Sequence, residues 1–499
     1  MSGDPVPTAT LLDALADKTV QGTIPAAVSG VAYDSRRVQP GELFVAVPGL
    51  KQDGRRFVEE ALTRGAAAVV LERPDVLEGT STGRVLVPSS REALARLADA
   101  YFGHPSGALT VVGITGTNGK TTTSYLVDAL LSARGQRTGL IGTVQYRIGT
   151  EIIGAGQTTP EAVELQSLLR RMVNAGVTAV AMEVSSHALA LSRVDGIDFD
   201  VAVFTNLTQD HLDFHGTMDT YRETKRRLFA LLAAGPKPGR TAVVNADDPS
   251  GVSMVAGLPL AALTYGIREP ADVRPARWSS GAEGIRMSVQ TPAGDLDIAS
   301  PLVGEHNVMN LLAAAGVGVA LEMAPQAIGR ALGSVGSVPG RFERVEAGQP
   351  FLVVVDYAHT PDALERTLET ARKLVGTGGR LGVVFGCGGD RDRGKRPLMG
   401  AIAARLCDHV WITSDNPRSE PPEAIIADIV AGIQGGPMDR HETLPDRKVA
   451  IQRALAWARA GDVVVIAGKG HETYQVIGSE VFPFDDRAQA LAALAGRAT

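Results

Sequence analysis

With 499 residues, the chain is too long for one hydrophobic core, and about three domains are expected. Its net charge of −6 argues against a general nucleic-acid binder, which would be basic. No apolar run reaches the length of a membrane span, and the two cysteines, Cys387 and Cys407, have no metal-type spacing. We therefore expect a soluble, cytoplasmic protein with free thiols, no membrane insertion and no nucleic-acid partner.

Short runs of β-branched and apolar residues alternate with helical patterns along most of the chain. This alternation predicts an α/β fold with largely parallel sheets. Breaks rich in Gly, Ser and Pro divide the chain into three domains. These are an N-terminal α/β domain over 1–107, a central parallel-sheet domain over 108–337 and a C-terminal Rossmann-like α/β domain over 338–499. Weak alternation over 275–300 predicts a small antiparallel addition to the central domain.

The first polar motif in the chain is Asp34-Ser35-Arg36, which precedes an apolar run. Ser35 and Arg36 are residue types that can bind a phosphate group. A polar turn explains them better when they are considered alone. The motif by itself therefore does not establish a phosphate site.

A glycine-rich turn between a predicted strand and a predicted helix is the most informative stretch. It has Gly116, Gly119, Lys120 and Thr121 at the spacing of a phosphate loop, but the first glycine stands at Gly113, one position early. Such a turn presents backbone N–H groups and a helix dipole to an anion. Lys120 can reach the outer phosphates of a nucleotide, and the Thr121 hydroxyl can bind Mg²⁺. The pattern favours ATP or GTP binding over an ordinary turn.

Two further stretches of the central domain carry candidate metal ligands. Glu183 ends an apolar run, where a carboxylate beside a nucleotide can hold Mg²⁺. The loop 205–216 contains two His and two Asp, and His211 can bind a metal through its neutral imidazole. Oxygen-rich surroundings favour Mg²⁺ or Mn²⁺ over zinc. Helix capping and exposure to solvent are the alternative explanations for these acidic and histidine residues. Lys225 lies in a basic helical stretch, and that pattern alone places it on a solvated helix face.

Three loops of the C-terminal domain, 386–396, 414–418 and 468–472, each follow a predicted strand. Loops after parallel strands meet at one edge of the sheet. Their glycines allow close backbone approach, and Arg391 and Arg418 offer planar guanidinium groups suited to carboxylates. Each loop alone could be an exposed turn, but the three together favour a site for an amino acid or another carboxylate.

The combined order of motifs resembles the Mur ligase family, which builds the peptide stem of the bacterial cell wall. The family has its own shifted form of the phosphate loop, which accounts for Gly113. Leu191 departs from the family pattern, since some relatives place a glutamine against the substrate there. The other matching motifs are Glu183-Val184-Ser185-Ser186-His187, Asp210-His211-Leu212-Asp213, Gly304-Glu305-His306-Asn307, Pro339-Gly340-Arg341 and Asp356-Tyr357-Ala358-His359.

The resemblance implies one ligand for each domain. The residues implied to hold ATP are Gly116, Thr117, Asn118, Gly119, Lys120, Thr121, Thr122, Asn307 and Arg341. Those implied to contact a UDP-muramoyl dipeptide are Ser35, Thr158, Thr159, Ser185 and Arg193. Those implied to hold the incoming amino acid are Arg391, Asp415, Asn416, Pro417, Arg418, Gly468 and Glu472. Lys225 matches the family's carbamylated lysine. The implied Mg²⁺ ligands are Thr121, Glu183, His211 and Lys225. The implied catalytic residues are Lys120, Glu183, His211 and Lys225.

The implied reaction is ATP-dependent amide formation at the third position of the stem. ATP phosphorylates the D-glutamyl side chain of UDP-N-acetylmuramoyl-L-alanyl-D-glutamate, and an amine of meso-2,6-diaminopimelate attacks the acyl phosphate. Arg418 beside Asp415 and Asn416 suits the distal carboxylate of diaminopimelate, which lysine lacks. The alternatives are the same ligase using L-lysine, a ligase similar to folylpolyglutamate synthase, and a phosphate-loop NTPase. We expect a monomer whose domains close around these small-molecule partners.

Overall fold

The computed structural model describes residues 5–49, 53–73, 82–433 and 440–496. Within these ranges, three main sheets follow one another along the chain, each with its own helices. In the described parts of the chain, no helix has the length and apolar character that a bilayer crossing requires.

The first region contains a five-stranded sheet beside a short strand pair. Its strands are β1 Val6–Pro7, β2 Thr19–Gln21, β3 Ala27–Val28, β4 Val31–Ala32, β5 Leu43–Val45, β6 Ala68–Leu71 and β7 Arg84–Leu86. Its helices are α1 Thr8–Asp13, α2 Val58–Thr63 and α3 Ser90–Tyr101. The sheet order is β2-β7-β6-β5-β4, and β1 pairs with β3. Strands β4 to β7 are parallel, as the alternation of strands and helices predicts.

The central region is built on an eight-stranded sheet. Its strands are β8 Thr110–Thr115, β9 Thr138–Ile141, β10 Gln145–Ile148, β11 Glu151–Gly154, β12 Ala179–Glu183, β13 Val201–Phe204, β14 Thr241–Asn245 and β15 Ala261–Tyr265. The order is β11-β10-β9-β12-β8-β13-β14-β15, and only β10 runs antiparallel to the other strands. The helices that follow are α4 Lys120–Ala133, α5 Ala162–Asn174, α6 Ser186–Ala190, α7 Leu212–His215, α8 Met218–Ala234, α9 Glu305–Ala320 and α10 Pro325–Gly333.

A three-stranded antiparallel sheet is attached to the central region. It comprises β16 Arg274–Gly281, β17 Gly284–Gln290 and β18 Leu296–Ser300 in that order. The antiparallel addition predicted over 275–300 is therefore confirmed. Ile285, Met287 and Val289 alternate along β17 and are buried, so one face of this small sheet packs on the central core.

The last region contains a six-stranded sheet and a hairpin. Its strands are β19 Glu343–Arg344, β20 Leu352–Asp356, β21 Leu381–Phe385, β22 His409–Thr413, β23 His441–Leu444, β24 Val463–Ala467, β25 Tyr474–Ile477 and β26 Glu480–Pro483. Its helices are α11 Pro361–Lys373, α12 Lys395–Leu406, α13 Pro422–Val430, α14 Arg447–Trp457 and α15 Asp486–Ala495. The order β19-β20-β24-β21-β22-β23 is parallel except for β19.

The central strands of both large sheets are buried on both faces. Every residue of β24 is fully buried, which explains why its sequence is continuously apolar rather than alternating. Cys387 and Cys407 are also buried, and burial raises the pKa of the Cys387 thiol to about 12. Both thiols therefore serve as core residues, as expected from their isolation in the sequence.

The N-terminal region is docked firmly on helix α5 of the central region. Glu164 accepts hydrogen bonds from the Tyr33 hydroxyl at 3.0 Å and from Arg37 at 3.1 Å. Arg170 donates to the carbonyl oxygens of Phe102 and Gly103, both at 2.6 Å. The segment 101–107, which ends the N-terminal region, is thus fixed against its neighbour by hydrogen bonds.

A buried ion pair in the last region gives a test of the packing. Arg447 donates two hydrogen bonds to Asp486, at 2.7 and 2.6 Å, and neither side chain is exposed. Arg447→Ala leaves a buried carboxylate without its partner, so we expect the free energy of unfolding to fall by about 3–5 kcal/mol. Arg453→Ala, at an exposed position of the same helix, should cost less than about 1 kcal/mol.

The measurement is urea denaturation followed by the fluorescence of Trp411 and Trp457, which lie in the same region. Equal unfolding midpoints for the two variants would contradict a stabilising role for the buried pair.

Candidate active site

The phosphate loop joins β8 to α4, and its glycines are required by close contacts. A Cβ atom at Gly116 would lie 1.8 Å from Oγ1 of Thr205, and one at Gly119, where φ is +86°, would lie 2.5 Å from Oδ1 of Asn310. Gly113 lies within β8, where a Cβ atom would come within 2.6 Å of the Phe199 ring. The early glycine is therefore a packing residue of the strand and not part of the anion-binding turn.

Two lysines, of which Lys225 is buried and Lys120 half-buried, meet at one carbonyl oxygen of this loop. Nζ of Lys120 donates to the carbonyl oxygens of Gly116 at 2.8 Å and Thr117 at 2.7 Å. Nζ of Lys225 donates to the same Gly116 oxygen at 2.9 Å. Burial lowers the pKa of both amines, and the charge of Lys120 lowers that of Lys225 further. The pattern-based prediction of a solvated face is therefore wrong for Lys225, because α8 turns this side chain towards the loop.

Glu183 is held by hydrogen bonds beside the start of α4. Its carboxylate accepts from Oγ1 of Thr121 at 3.0 Å, and from the backbone N of Thr143 at 2.8 Å and its Oγ1 at 3.0 Å. Arg341 also donates to Oγ1 of Thr121, at 3.0 Å. Carboxylate and hydroxyl oxygens at this buried point are the ligand types that Mg²⁺ prefers.

The oxygen donors of Thr121 and Glu183 therefore fit a Mg²⁺ ion. Among the described residues, no trio of His, Cys, Asp or Glu side chains is arranged to hold a metal by itself. Mg²⁺ usually keeps one or two carboxylates and completes its shell with water and phosphate oxygens, so this donor set is sufficient.

The histidine-rich loop packs beside the phosphate loop. His211 has a left-handed backbone with φ of 53°, and its ring lies 4.9 Å from that of His187. Burial lowers the pKa of His187 and that of His215 to about 4, so both rings are neutral at pH 7. Nε2 of His215 is hydrogen-bonded to Oγ of Ser186 at 2.9 Å. These buried rings fix the loop, while the side chain of His211 is 44% exposed to the cleft.

A cleft of about 890 Å³ lies between the central and last regions. Arg341 of the last region lies over the ring of Tyr357, 4.6 Å from its centroid, and reaches Thr121. Nδ2 of Asn118 donates to Asp362 of α11 at 2.9 Å, which links the two regions beside the phosphate loop. The predicted ATP and metal ligands that line it are Gly116, Thr117, Asn118, Gly119, Lys120, Thr121, Thr122, Glu183, His211, Lys225, Asn307 and Arg341.

Four of the five residues predicted to contact the dipeptide form one cluster. Oγ1 of Thr158 lies 3.0 Å from that of Thr143, and Oγ1 of Thr159 accepts from the Ser185 backbone N at 3.0 Å. Arg193 donates to the carbonyl oxygen of Thr159 at 3.1 Å. Within the described residues, the buried Nε atom of Arg193 has no hydrogen-bond partner.

Ser35 lies apart from this cluster. Its hydroxyl donates to Glu60 at 2.7 Å within the N-terminal region, and its side chain is buried. Leu191 ends helix α6 at its C-terminal cap. In the structure, Ser35 is therefore hydrogen-bonded to Glu60 and not to the four clustered residues. Its role in substrate binding stays a prediction.

The three C-terminal loops meet at one edge of the sheet, as predicted. The backbone N of Gly389 donates to the Asn416 carbonyl at 2.9 Å, and Arg418 donates to the Gly389 carbonyl at 2.8 Å. Nδ2 of Asn416 donates to Glu472 at 2.9 Å. Asp415 and Pro417 lie in the same buried turn as Asn416.

Two further predicted residues lie at the borders of this loop cluster. The backbone N of Gly468 donates to the Asp356 carbonyl at 3.1 Å, and Asp356 lines the large cleft. Arg391 is exposed, with its guanidinium group 3.0 Å from the Asp390 carbonyl oxygen. The loop cluster therefore adjoins the cleft on one side and is open to solvent on the other.

Sequence reasoning missed Thr143, Asp362 and Lys469. Thr143 comes two residues after β9, so the rule that functional residues follow parallel strands could have found it. Asp362 contacts Asn118 across 244 residues of sequence, and no local pattern indicates that pairing. Lys469 lies within a recognised motif but is fully buried behind the residues that were assigned.

Comparisons with known proteins find relatives along nearly the whole chain. Family models match over 27–102 (Mur ligase family, catalytic domain), 114–318 (Mur ligase middle domain) and 340–470 (Mur ligase, glutamate ligase domain). A relative from Solibacter usitatus named UDP-N-acetylmuramoyl-L-alanyl-D-glutamate–2,6-diaminopimelate ligase is 49% identical over 94% of this chain and 94% of its own. The chain belongs to the Mur ligase family. A Geobacillus kaustophilus protein of the same name is 49% identical over 94% of this Mur ligase and 95% of its own length.

Solved structures of the family share the fold. A UDP-N-acetylmuramoyl-L-alanyl-D-glutamate–2,6-diaminopimelate ligase has a TM-score of 0.68 at 36% identity, over 95% of this Mur ligase and 96% of that chain. Folylpolyglutamate synthase of Mycobacterium tuberculosis has a TM-score of 0.61 over 80% of this chain and 93% of its own, and its 21% identity shows the fold alone. The predicted α/β architecture of a Mur ligase is thereby confirmed.

The bonds between Thr143 and Glu183 give a test of the Mg²⁺ site. Thr143→Val keeps the side-chain shape but removes the hydroxyl that orients the Glu183 carboxylate. We expect the Mg²⁺ concentration for half-maximal ATP turnover to rise about 10–100-fold, as when other residues that support a metal ligand are removed. Thr138→Val, on strand β9 but hydrogen-bonded to Arg147, is the control and should leave that concentration unchanged. If both variants depend on the Mg²⁺ concentration in the same way, the Thr143 hydroxyl does not orient Glu183 for Mg²⁺ binding.

Proposed function

We propose that this Mur ligase joins meso-2,6-diaminopimelate to UDP-N-acetylmuramoyl-L-alanyl-D-glutamate, with cleavage of ATP to ADP and phosphate. The observation that carries the proposal is the arrangement of three residue clusters around adjoining strand ends. These are the phosphate loop, the cluster of Thr158, Thr159, Ser185 and Arg193, and the loops that contain Arg418 and Glu472. Relatives with 49% identity over nearly their whole length are named for this reaction.

The first step is transfer of the γ-phosphoryl group from ATP to the D-glutamyl carboxylate. A carboxylate oxygen attacks phosphorus, the bond to ADP breaks, and an acyl phosphate forms. Lys120 and the backbone N–H groups of the loop offset the charge on the transferred group. Thr121 and Glu183 would hold Mg²⁺, which neutralises phosphate charge when bound; we place a second ion near His211 and Lys225.

In the second step, an amine of diaminopimelate attacks the acyl carbon and phosphate leaves. Arg418 is suited to a substrate carboxylate, and Glu472 and Asp415 are suited to an ammonium group. An acyl phosphate hydrolyses readily, so the last region must close over the phosphate loop before chemistry. The Asn118–Asp362 and Arg341–Thr121 hydrogen bonds already join the two regions in this arrangement.

We further infer that Lys225 acts as a carbamate. A neutral amine attacks CO₂ and loses a proton, which converts a cation into an anion. Lys225 is 1% exposed and its pKa lies well below the usual value, because burial and the charge of Lys120 both disfavour protonation. Carbamylation places an anion beside the Lys120 cation at the Gly116 oxygen, and the anion is a suitable Mg²⁺ ligand.

The carbamate is tested by ¹³C NMR of the protein equilibrated with ¹³C-bicarbonate. We expect a carbamate carbonyl signal at pH 8 that is absent from Lys225→Ala and retained in Lys237→Ala, whose amine is paired with Asp200. The signal should decline as the pH falls through the lowered pKa of Lys225, because the protonated amine cannot attack CO₂. A spectrum identical in wild type and Lys225→Ala would contradict carbamylation.

The reaction itself is tested by phosphate release with the UDP-muramoyl dipeptide and each of meso-diaminopimelate, L-lysine and L-glutamate. We expect release with diaminopimelate. Release with lysine alone would show a lysine ligase, and release with no amino acid would favour a phosphate-loop NTPase. Release with glutamate on a folate substrate instead of the dipeptide would favour the folylpolyglutamate synthase alternative.

Arg418 gives a sharper test of amino-acid recognition. Arg418→Ala removes the guanidinium group that we assign to a substrate carboxylate, so kcat/KM for diaminopimelate should fall by about a hundredfold. The affinity for ADP, measured by calorimetry, should stay the same. Arg393→Ala is the matched control, since this arginine of the same loop cluster is 65% exposed and pairs with Asp428. Similar losses in both variants would contradict a specific role for Arg418.

We also propose that the enzyme acts as a monomer in the cytoplasm, where ATP is available and its two buried thiols stay reduced. Light scattering at the concentrations used in the assay measures the oligomeric state directly.

A further inference from the structure

Lys469 is a fully buried cation behind the loops that we assign to the amino acid. Its Nζ atom lies 3.3 Å from Oδ1 of Asp415, 3.1 Å from Oδ1 of Asn416 and 3.2 Å from Oε2 of Glu472. Its side chain is 0% exposed, so the ammonium group is enclosed by these three acceptors. The proposed reaction gives this lysine no role, and it lies outside the cleft that holds the phosphate loop.

The three acceptors of Lys469 are all residues assigned to the incoming amino acid. Because Oδ1 of Asn416 accepts from Lys469 and from the backbone N of Val476, its Nδ2 group must face Glu472, to which it donates at 2.9 Å. The lysine therefore sets the orientation of the amide as well as the positions of two carboxylates. A nearby second buried cation, Arg447, is already paired with Asp486.

Charge balance gives this arrangement a consequence for specificity. Asp415 and Glu472 together carry two negative charges, and Lys469 compensates one of them. The remaining charge matches the single ammonium group at the distal end of diaminopimelate. Without Lys469, the two carboxylates would also repel the carboxylate of that distal end. L-lysine has a distal ammonium group but no distal carboxylate, so this repulsion would not affect it.

We propose that Lys469 is a positioning residue that makes the amino-acid site selective for a substrate with a distal carboxylate. It holds Asp415, Asn416 and Glu472 in place and halves their negative charge, while Arg418 faces the substrate carboxylate. The inference rests on the proposed function, since it concerns the same amino-acid site.

The test compares Lys469→Met, which keeps the length of the side chain without its charge, with Lys469→Arg, which keeps the charge. In Lys469→Met, KM for meso-diaminopimelate should rise about tenfold or more, while KM for ATP stays the same and kcat/KM for L-lysine falls less than about threefold. Lys469→Arg should retain the wild-type preference between the two amino acids. If Lys469→Met does not bind ADP with wild-type affinity, Lys469→Gln, which keeps a polar group against Asn416, is measured in the same way.

A merely structural role would lower the active fraction, and with it kcat for both amino acids, without changing either KM. That result, or an equal rise of KM for both amino acids, would overturn the proposal. The wild-type enzyme measured in parallel separates this outcome from failure of the proposed function. If the wild type uses neither amino acid, the proposed function fails; if it uses diaminopimelate and Lys469→Met keeps the same KM, only the role of Lys469 fails.

Discussion

The convergence of two lysine amines on one carbonyl oxygen is the constraint on which the site depends. Lys120 and Lys225 both donate to the carbonyl oxygen of Gly116. Two cations in such a place are costly unless an anion binds or one amine gives up its proton. A polyphosphate at the loop meets the first condition, and a carbamate on Lys225 meets the second. The glycines at 116 and 119 allow the loop to pack closely against Thr205 and Asn310.

Parallel sheets bring the remaining groups to this point. In the central sheet, β8, β9 and β12 end beside one another, which places Thr121, Thr143 and Glu183 in contact. In the last sheet, β21, β22 and β24 likewise end at neighbouring positions, so loops that are far apart in sequence form one cluster. Arg341 and Asp362 then join the two sheets across the cleft.

The fold was predictable because parallel strands buried on both faces leave continuous apolar runs, as β8, β12 and β24 do. The site was predictable where its residues form contiguous motifs, as at 116–122. The inward orientation of Lys225 could not be predicted, because a basic helical stretch has the same sequence pattern whether this lysine points inward or towards solvent. Asp362 and Lys469 act through contacts between distant segments, which local sequence does not encode. The resemblance to the Mur ligase family, confirmed by the comparisons, implied a reaction and a ligand for each set of residues, which the pattern alone could not do.

The central claim is that ATP activates the D-glutamyl carboxylate as an acyl phosphate held at the phosphate loop. The most direct measurement uses a UDP-muramoyl dipeptide labelled with ¹⁸O in that carboxylate, turned over with ATP and meso-diaminopimelate. The account predicts that one labelled oxygen per turnover appears in inorganic phosphate, because the bond between the acyl carbon and the bridging oxygen breaks when the amine attacks. Unlabelled phosphate, formed while the amide product accumulates, would contradict it.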